Sequence, residues 1–385
     1  MIIVQAKRVP AAPNVLFSAL VQGPQASFDP SISSESGSAY GGPVSWDFGD
    51  GSPIDNNAIP AAHNYATAGP FTAIATTTAP IQGNRITATS DDLLSVSVIG
   101  NSLSDRLLLA SNPNLASITY AADHSALKNI DLTGTALTEA PPVAAMPNLI
   151  LLHLDSITSM PAAELDGIDW GLLLSLTDLR LTGTAITDLD MSAPRATGLT
   201  IQIRNCVNWV TADFSGVSGP LTLLANGSTS IGPALEAAIL GANLVRLDAD
   251  DTGLPATFDL SGQGNLTVAD LFTNPLLSSL TLPSPSSMQT LRASGTNLSS
   301  IANLAQQSSI STLQINGGNF NAAQLDVVLG DLVASGAVGG SLDYSNQPGG
   351  AHEDVNRGVG AGFAPGEHLD VLINTRGWTR TGSGY

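Results

Sequence analysis

Apolar residues return at a regular interval through the middle of this chain. The pattern Leu-x-x-Ile-x-Leu at 127–132 is repeated as Leu-x-x-Leu-x-Leu at 176–181, and related patterns follow. The copies start at 104, 127, 149, 176, 198, 221, 244, 266, 288 and 310. Successive starts lie 22 or 23 residues apart except for one step of 27, which predicts an insertion between Ser156 and Leu176. Such a period is typical of a solenoid, in which each repeat forms one coil.

The repeated motif resembles the leucine-rich repeat over residues 104–320. The resemblance implies that each L-x-x-L-x-L segment is a short strand of one concave parallel sheet, and that a polar residue after the strand bonds the turn between coils. That position holds Asn112, Thr135, Thr184, Cys206, Thr252, Asn274 and Thr296. A cysteine there is expected to be buried and unreactive rather than a nucleophile. The period leaves no room for a helix in every coil, so extended or 3₁₀ segments are expected opposite the sheet.

Burial of the leucines tests this register of the repeat. We expect the side chains of the central strand positions to lie in the core of the solenoid. These are Leu132, Leu152, Leu181, Leu247, Leu271, Leu291 and Leu313.

The first hundred residues alternate short apolar runs with turn residues, which predicts strands at 14–19, 44–48, 71–77 and 93–98. The segment Trp46-Asp47-Phe48-Gly49-Asp50-Gly51, followed by a second motif with Tyr65 and Gly69, resembles the signature of polycystic-kidney-disease-type domains. The resemblance implies an immunoglobulin-like β-sandwich over residues 14–99.

Several residues of this motif have predictable structural roles. Trp46 and Phe48 alternate onto one face and are expected in the core, and the glycines permit the positive φ of a tight turn. Asp47 and Asp50 are expected to accept backbone N–H bonds in that turn. Calcium binding by these two acids is the alternative, disfavoured because the same acids occur wherever this turn is built.

Beyond residue 320 the period stops, and a capping region is predicted over residues 321–385. A helix is expected at 321–335, with Asn321 as N-cap and an apolar stripe on one face. A strand at 340–344, a loop at 346–364, a second short helix at 365–375 and a final strand at 377–381 follow. The expected fold is therefore mainly β: an N-terminal arm at 1–13, a sandwich, a solenoid at 100–320 and an α/β cap.

Charge narrows the choice of partners. The chain has 13 Lys and Arg residues against 32 Asp and Glu residues, a formal net charge of −19. Nucleic-acid phosphates and anionic membrane surfaces are poor partners for such a chain. Its apolar runs are too short to span a bilayer.

A single cysteine excludes an internal disulfide framework and a thiolate metal site. No cofactor or metal is expected.

Candidate chemistry is sparse, which favours a binding or structural protein over an enzyme. We find no serine elbow, phosphate-binding glycine loop or paired histidines. A sugar-cleaving carboxylate pair would be the one enzymatic candidate. Asp248–Gly253 resembles part of a calcium loop but lacks the distal glutamate, and a solvated strand end is favoured. His153 is expected on the concave face, without a carboxylate partner that the spacing identifies.

Both resembled families act by presenting surfaces, so the remaining question is the biological setting. We expect a bacteriophage virion component (decoration, fibre or tail-associated), assembled in the host cytoplasm and displaying the solenoid to a host-surface ligand. The first ten residues lack the features of a secretory signal. A secreted or cell-surface bacterial adhesion protein is the alternative.

The N-terminal arm is the predicted attachment element. It could add a strand to a sheet edge of another virion protein. A frayed terminus is the alternative. The candidate docking residues are Ile2, Ile3, Val4, Lys7 and Arg8.

Overall fold

The computed structural model describes residues 14–22, 27–34, 44–57, 59–67, 69–77, 84–89, 93–98, 104–120, 124–284, 288–347 and 367–381. The chain divides into two compact units, an N-terminal unit Met1–Glu164 and a C-terminal unit Leu165–Tyr385. The predicted boundaries at 13/14, 99/100 and 320/321 stay predictions.

The N-terminal unit is built mainly of strands. They are β1 Asn14–Val21, β2 Ser27–Ser34, β3 Val44–Asp47, β4 His63–Asn64, β5 Phe71–Thr77, β6 Asn84–Thr89, β7 Leu93–Val98, β8 Ser104–Leu108, β9 Ser117–Tyr120, β10 Asn129–Asp131 and β11 Leu151–His153. One sheet has the order β3-β5-β1-β7-β9, and the other runs β4-β2-β6-β8-β10-β11. Phe28 on β2 meets Trp46 on β3 edge to face, with ring centroids 6.4 Å apart, so an aromatic core joins the two sheets.

The two N-terminal sheets continue directly into the first coils. Strand β6 pairs antiparallel with β2 and parallel with β8. Strand β7 pairs antiparallel with β1 and parallel with β9 in the same way. The four strands predicted in this region are present, but β2, β4 and β6 were not predicted. Pro30 argues against a strand at β2, because proline cannot donate to a ladder.

The C-terminal unit continues the repeat. Its strands are β12 Asp178–Arg180, β13 Asp188–Asp190, β14 Leu199–Gln202, β15 Thr211–Asp213, β16 Leu221–Leu224, β17 Leu244–Asp248, β18 Thr257–Asp259, β19 Val268–Asp270, β20 Ser279–Thr281, β21 Thr290–Arg292, β22 Ser300–Ala302, β23 Thr312–Gln314, β24 Ser341–Asp343 and β25 Thr379–Arg380. The main sheet of this unit is parallel, in the order β12-β14-β16-β17-β19-β21-β23-β24-β25.

The repeat register is confirmed by burial. All seven leucines predicted in the core have no exposed surface. Pairing places the inward residues of neighbouring strands side by side, as at Leu247, Ala269 and Leu291. Both units therefore contain stacked coils of a β-solenoid.

A single left-handed residue follows each main strand and turns the chain. Five are glycines, such as Gly295 with φ 68°, but Thr273 occupies the same position with φ 54°. The full series is Ser111, Gly134, Ser156, Gly183, Asn205, Gly227, Asp251, Thr273, Gly295, Gly317 and Asn346. Glycine adopts this conformation without the steric cost that a Cβ brings, so the turn favours glycine at this position of every coil.

The prediction of one parallel sheet is wrong. Short parallel strands also pair on the far side of the coils, β13 with β15 and β18-β20-β22 in a row. Three-residue segments suffice there because the matching segment of the next coil supplies the hydrogen bonds. The expected 3₁₀ segments are also present at Val143–Ala145, Trp170–Leu172 and Leu304–Gln306.

The part of the chain that the structure describes contains few helices. They are α1 Ala162–Asp166, within the predicted insertion, α2 Gly232–Ala238, α3 Ala322–Ala334 and α4 His368–Asp370, which continues as a π-helical turn, Val371–Thr375. Asn321 and Gln324 form a reciprocal capping box at the start of α3, as the predicted N-cap requires. Strands β24 and β25 follow in the predicted places. Most of the predicted loop, 348–364, lies outside the described residues.

Candidate functional site

Residues that alternate with the buried ones form the outer face of the main sheet. Asp248, Asp270 and Arg292 are paired neighbours in three successive strands. A second row lies just beyond the strand ends, because the N–H of each left-handed residue bonds the carbonyl of the next coil. In this way Gly227 N–H donates to Asp250 O, and Asp251 N–H donates to Phe272 O.

Six charged residues form a cluster on this face, here called the charged patch. They are Arg204, Arg246, Asp248, Asp250, Asp270 and Arg292. Asp270 lies at its centre: Oδ2 accepts from Arg246 Nη2 at 2.9 Å, and Oδ1 accepts from Arg292 Nη1 at 3.0 Å. Asp248 is more loosely paired, with Oδ2 3.9 Å from Arg204 Nη2. The aspartates are the more buried partners, so the arginines form the accessible rim.

Crowding of the aspartates affects their protonation. Burial and, to a smaller extent, the neighbouring charges of Asp248 and Asp270 raise the pKa of Asp250 to about 6, although a hydrogen bond from Phe272 N–H opposes this shift. Burial and the charge of Asp270 also raise the pKa of Asp248, against the opposing effect of the nearby arginines. Asp250 therefore gains a proton at a higher pH than an ordinary aspartate.

Three buried polar atoms in three successive coils of this face lack a hydrogen-bond partner among the described residues. They are Arg204 Nε, Asn226 Oδ1 and Asp248 Oδ1. Ionised Asp250 offers no proton to Asp248, whose residue is only 9% exposed. Leaving such groups unpaired is costly, so a site of this kind gains when a ligand or water supplies the missing bonds.

The turn residues after the strands bond in two ways. Thr135 Oγ1 donates to Leu132 O at 2.8 Å, within its own coil, and Thr184, Thr252 and Thr296 make the equivalent bond. Asn274 has two N–H groups and donates to Ala249 O in the preceding coil as well as to Leu271 O in its own. Cys206 is fully buried, and its Sγ donates to Leu181 O at 3.0 Å in the preceding coil.

The motif residues of the N-terminal unit surround one turn. Asp47 Oδ1 accepts from Gly49 N–H at 2.9 Å, and Asp50 Oδ1 accepts from Ser52 N–H at 3.0 Å. Gly49 and Gly51 have positive φ. Trp46, Phe48 and Tyr65 are buried, and Tyr65 Oη donates to Phe48 O. Gly69 lies against Val21 O, where a Cβ would be 2.9 Å away.

His63 is an additional contact in this turn. Its Nε2 lies 2.8 Å from Asp50 Oδ2, and its ring stacks on Phe48. Burial raises the pKa of Asp50, but hydrogen bonds from Ser52 and His63 outweigh that effect and lower it to about 2.

Two expectations about single residues need correction. His153 does have a carboxylate partner: Nδ1 lies 3.9 Å from Oδ2 of Asp131, its paired neighbour in the preceding coil. Asp248 is buried rather than part of a solvated strand end. In both cases, pairing between coils brings together residues that are about one period apart.

No set of three or more His, Cys, Asp or Glu side chains suited to a metal ion occurs among the described residues. Within the described ranges, no helix is long and apolar enough to cross a bilayer. The docking residues Ile2, Ile3, Val4, Lys7 and Arg8 lie outside the described residues.

The charged patch is the feature that sequence reasoning missed. Its signal is present in the repeat, because Asp248, Asp270 and Arg292 occupy one position in three consecutive coils. The same period identifies Ser228 as the turn residue after Cys206, and its Oγ donates to Ile203 O. Gln347, which donates to Ile315 O, falls beyond the regular period and had no such signal.

Comparison with known proteins finds no matching family model and no matching curated protein.

Proposed function

We propose that this chain is a non-enzymatic binding protein that presents the outer face of its main sheet to a partner. The charged patch is the observation that carries the proposal. Its arginines are partly exposed on a face of paired strands, whereas Asp270, which holds two of them by ion pairs, is largely buried. Arginines already held by ion pairs need less ordering when a partner binds, which favours recognition.

We further propose that residues 14–99 form a polycystic-kidney-disease-type domain and that residues 100–320 form a leucine-rich repeat domain. The turn bonds of Asp47 and Asp50 and the buried aromatic residues support the first assignment. The buried asparagines support the second, because Asn112 and Asn274 each bond carbonyls of two successive coils.

The setting we propose is a bacteriophage particle, with the N-terminal arm and sandwich contacting other virion proteins and the solenoid available to a host-surface ligand. The resemblance of both regions to surface-presenting modules supports this setting. Low lysine content and a single cysteine agree with it.

Fractionation of the source culture tests the setting. We expect mass spectrometry to find the chain in gradient-purified particles, at a fixed ratio to the major capsid protein. Its presence only in the medium or the cell-wall fraction of uninfected cells would instead support a bacterial adhesion protein.

The proposed attachment element can be tested separately. Deletion of residues 1–13 should abolish incorporation into particles and leave the thermal unfolding of the remaining protein unchanged. The double substitution Lys7→Glu and Arg8→Glu is the matched charge variant, and it should reduce incorporation if the basic pair meets an acidic rim. Normal incorporation of the deleted protein would refute docking through the arm.

A further inference from the structure

The charged patch carries balanced charge, which limits the ligands it can take. Three arginines face three aspartates, so the patch is close to neutral when all six are ionised. An anion would have to compete with Asp270 for Arg246 and Arg292, and a cation would have to displace those arginines. Neither gains the attraction that an uncompensated charge would give.

The unpaired atoms of the patch need both a donor and an acceptor. Arg204 Nε can donate, while Asn226 Oδ1 and Asp248 Oδ1 can accept. A hydroxyl group supplies one donor and two acceptor positions, so neighbouring hydroxyls can serve all three atoms. Arg204 keeps about a third of its side-chain surface exposed, so its guanidinium group is accessible at this face although Nε itself is buried.

An aromatic side chain completes the surface. Phe272 is half-buried and follows Asp250 in the row beyond the strand ends. Among the described residues of the C-terminal unit, Phe272 is the aromatic residue on the outer face, because Tyr344 and the other large aromatic residues are buried. An apolar ring beside charged hydrogen-bonding groups suits a ligand with one apolar face and many hydroxyls.

We propose that the charged patch, with Asn226 and Phe272, binds a neutral carbohydrate. One face of a sugar ring packs on Phe272, and its hydroxyls bond the aspartates, Asn226 and Arg204. This inference rests on the proposed binding function and specifies the ligand of the same face. A neutral glycan also avoids the repulsion that a chain of net charge −19 exerts on anionic polymers.

Affinity electrophoresis of the full chain tests the proposal. Native gels would contain dextran, mannan, xylan or galactan, with polygalacturonate as the anionic comparison. We expect at least one neutral polysaccharide to slow the wild-type protein. Phe272→Ala should weaken that binding by about tenfold, as expected for loss of one good aromatic contact. Leu276→Ala is the matched control, since Leu276 is exposed on the same coil but lies outside the patch.

A second variant separates binding from folding. Phe272→Leu keeps an apolar side chain without the ring, so it should melt like the wild type and still lose most of the retardation. The proposal is overturned if no neutral polysaccharide retards the protein, if polygalacturonate alone does, or if Phe272→Ala binds normally. Particle incorporation measured in parallel keeps the outcomes separate, because a protein that enters particles without binding glycans retains the proposed setting and loses only this ligand.

Discussion

At the scale of single residues, the left-handed turn position is strained where it holds a residue other than glycine, and substitution by glycine should relieve that strain. Thr273 has φ 54°, a conformation that a β-branched side chain adopts at a cost of roughly 1–2 kcal/mol. Gly295 occupies the same position one coil later, and a Cβ there would meet only ordinary contacts. Sequence periodicity locates this position in each coil. It does not predict which coils have glycine there and which have another residue.

We therefore expect Thr273→Gly to raise the free energy of unfolding by about 1 kcal/mol, since it removes the Cβ clash. The reciprocal change, Gly295→Thr, should lower it by a similar amount or more. Urea denaturation of both variants would measure the two effects. Loss of stability in Thr273→Gly would mean that the side chain makes contacts that outweigh the strain.

At the scale of elements, burial and the charges that strand pairing brings together raise the pKa of Asp250 to about 6, above its value in the unfolded chain. The charges of Asp248 and Asp270 act in the same direction as burial, and the hydrogen bond from Phe272 N–H acts against it. A raised pKa gives a contribution to stability that is present at low pH and is lost as the pH rises through about 6.

Asp250→Asn should therefore be more stable than the wild type at pH 7, and the difference should shrink as the pH falls toward 4. Asparagine can still accept the hydrogen bond from Phe272 N–H. Asp190→Asn provides a control of opposite sign, because hydrogen bonds from Ser192 lower the pKa of Asp190. Chemical denaturation between pH 4 and 7 measures both, and a constant difference for Asp250→Asn across that range would contradict the prediction.

Elements also differ in how far their sequence identifies them. Strands carrying the Leu-x-x-Leu-x-Leu period could be placed because every inward residue is apolar and buried. Strand β13, Asp188–Asp190, could not, since one apolar residue between two acids gives no strand signal. It forms because β15 lies one coil away and supplies its hydrogen bonds. The charged patch was missed for the same reason: its contacts join residues 22, 24 or 44 positions apart.

At the scale of the whole molecule, the N-terminal unit joins two kinds of architecture without a break in hydrogen bonding. Strands β6 and β7 each pair with an antiparallel neighbour on one side and with a coil strand, β8 or β9, on the other. The apolar end of a solenoid must be capped, and these strands cap it. The expected consequence is that the N-terminal sheets and the first coils unfold together.

Native-state hydrogen exchange can test this cooperation. Trp46→Ala removes a fully buried side chain from the aromatic core and should cost about 3–5 kcal/mol. If unfolding is shared, the amides of β8 and β10 should lose protection by the same free energy as those of β1 and β5.

Tyr65→Phe is a milder variant that removes the hydrogen bond to Phe48 O, with an expected cost of about 1 kcal/mol. It should lower the protection of both regions by the same free energy. Ile54→Ala, at an exposed site, should leave both regions unchanged. Normal protection of β8 and β10 in both destabilised variants would mean that the sheets open independently of the coils, so that the shared ladders would be a contact between separate folding units.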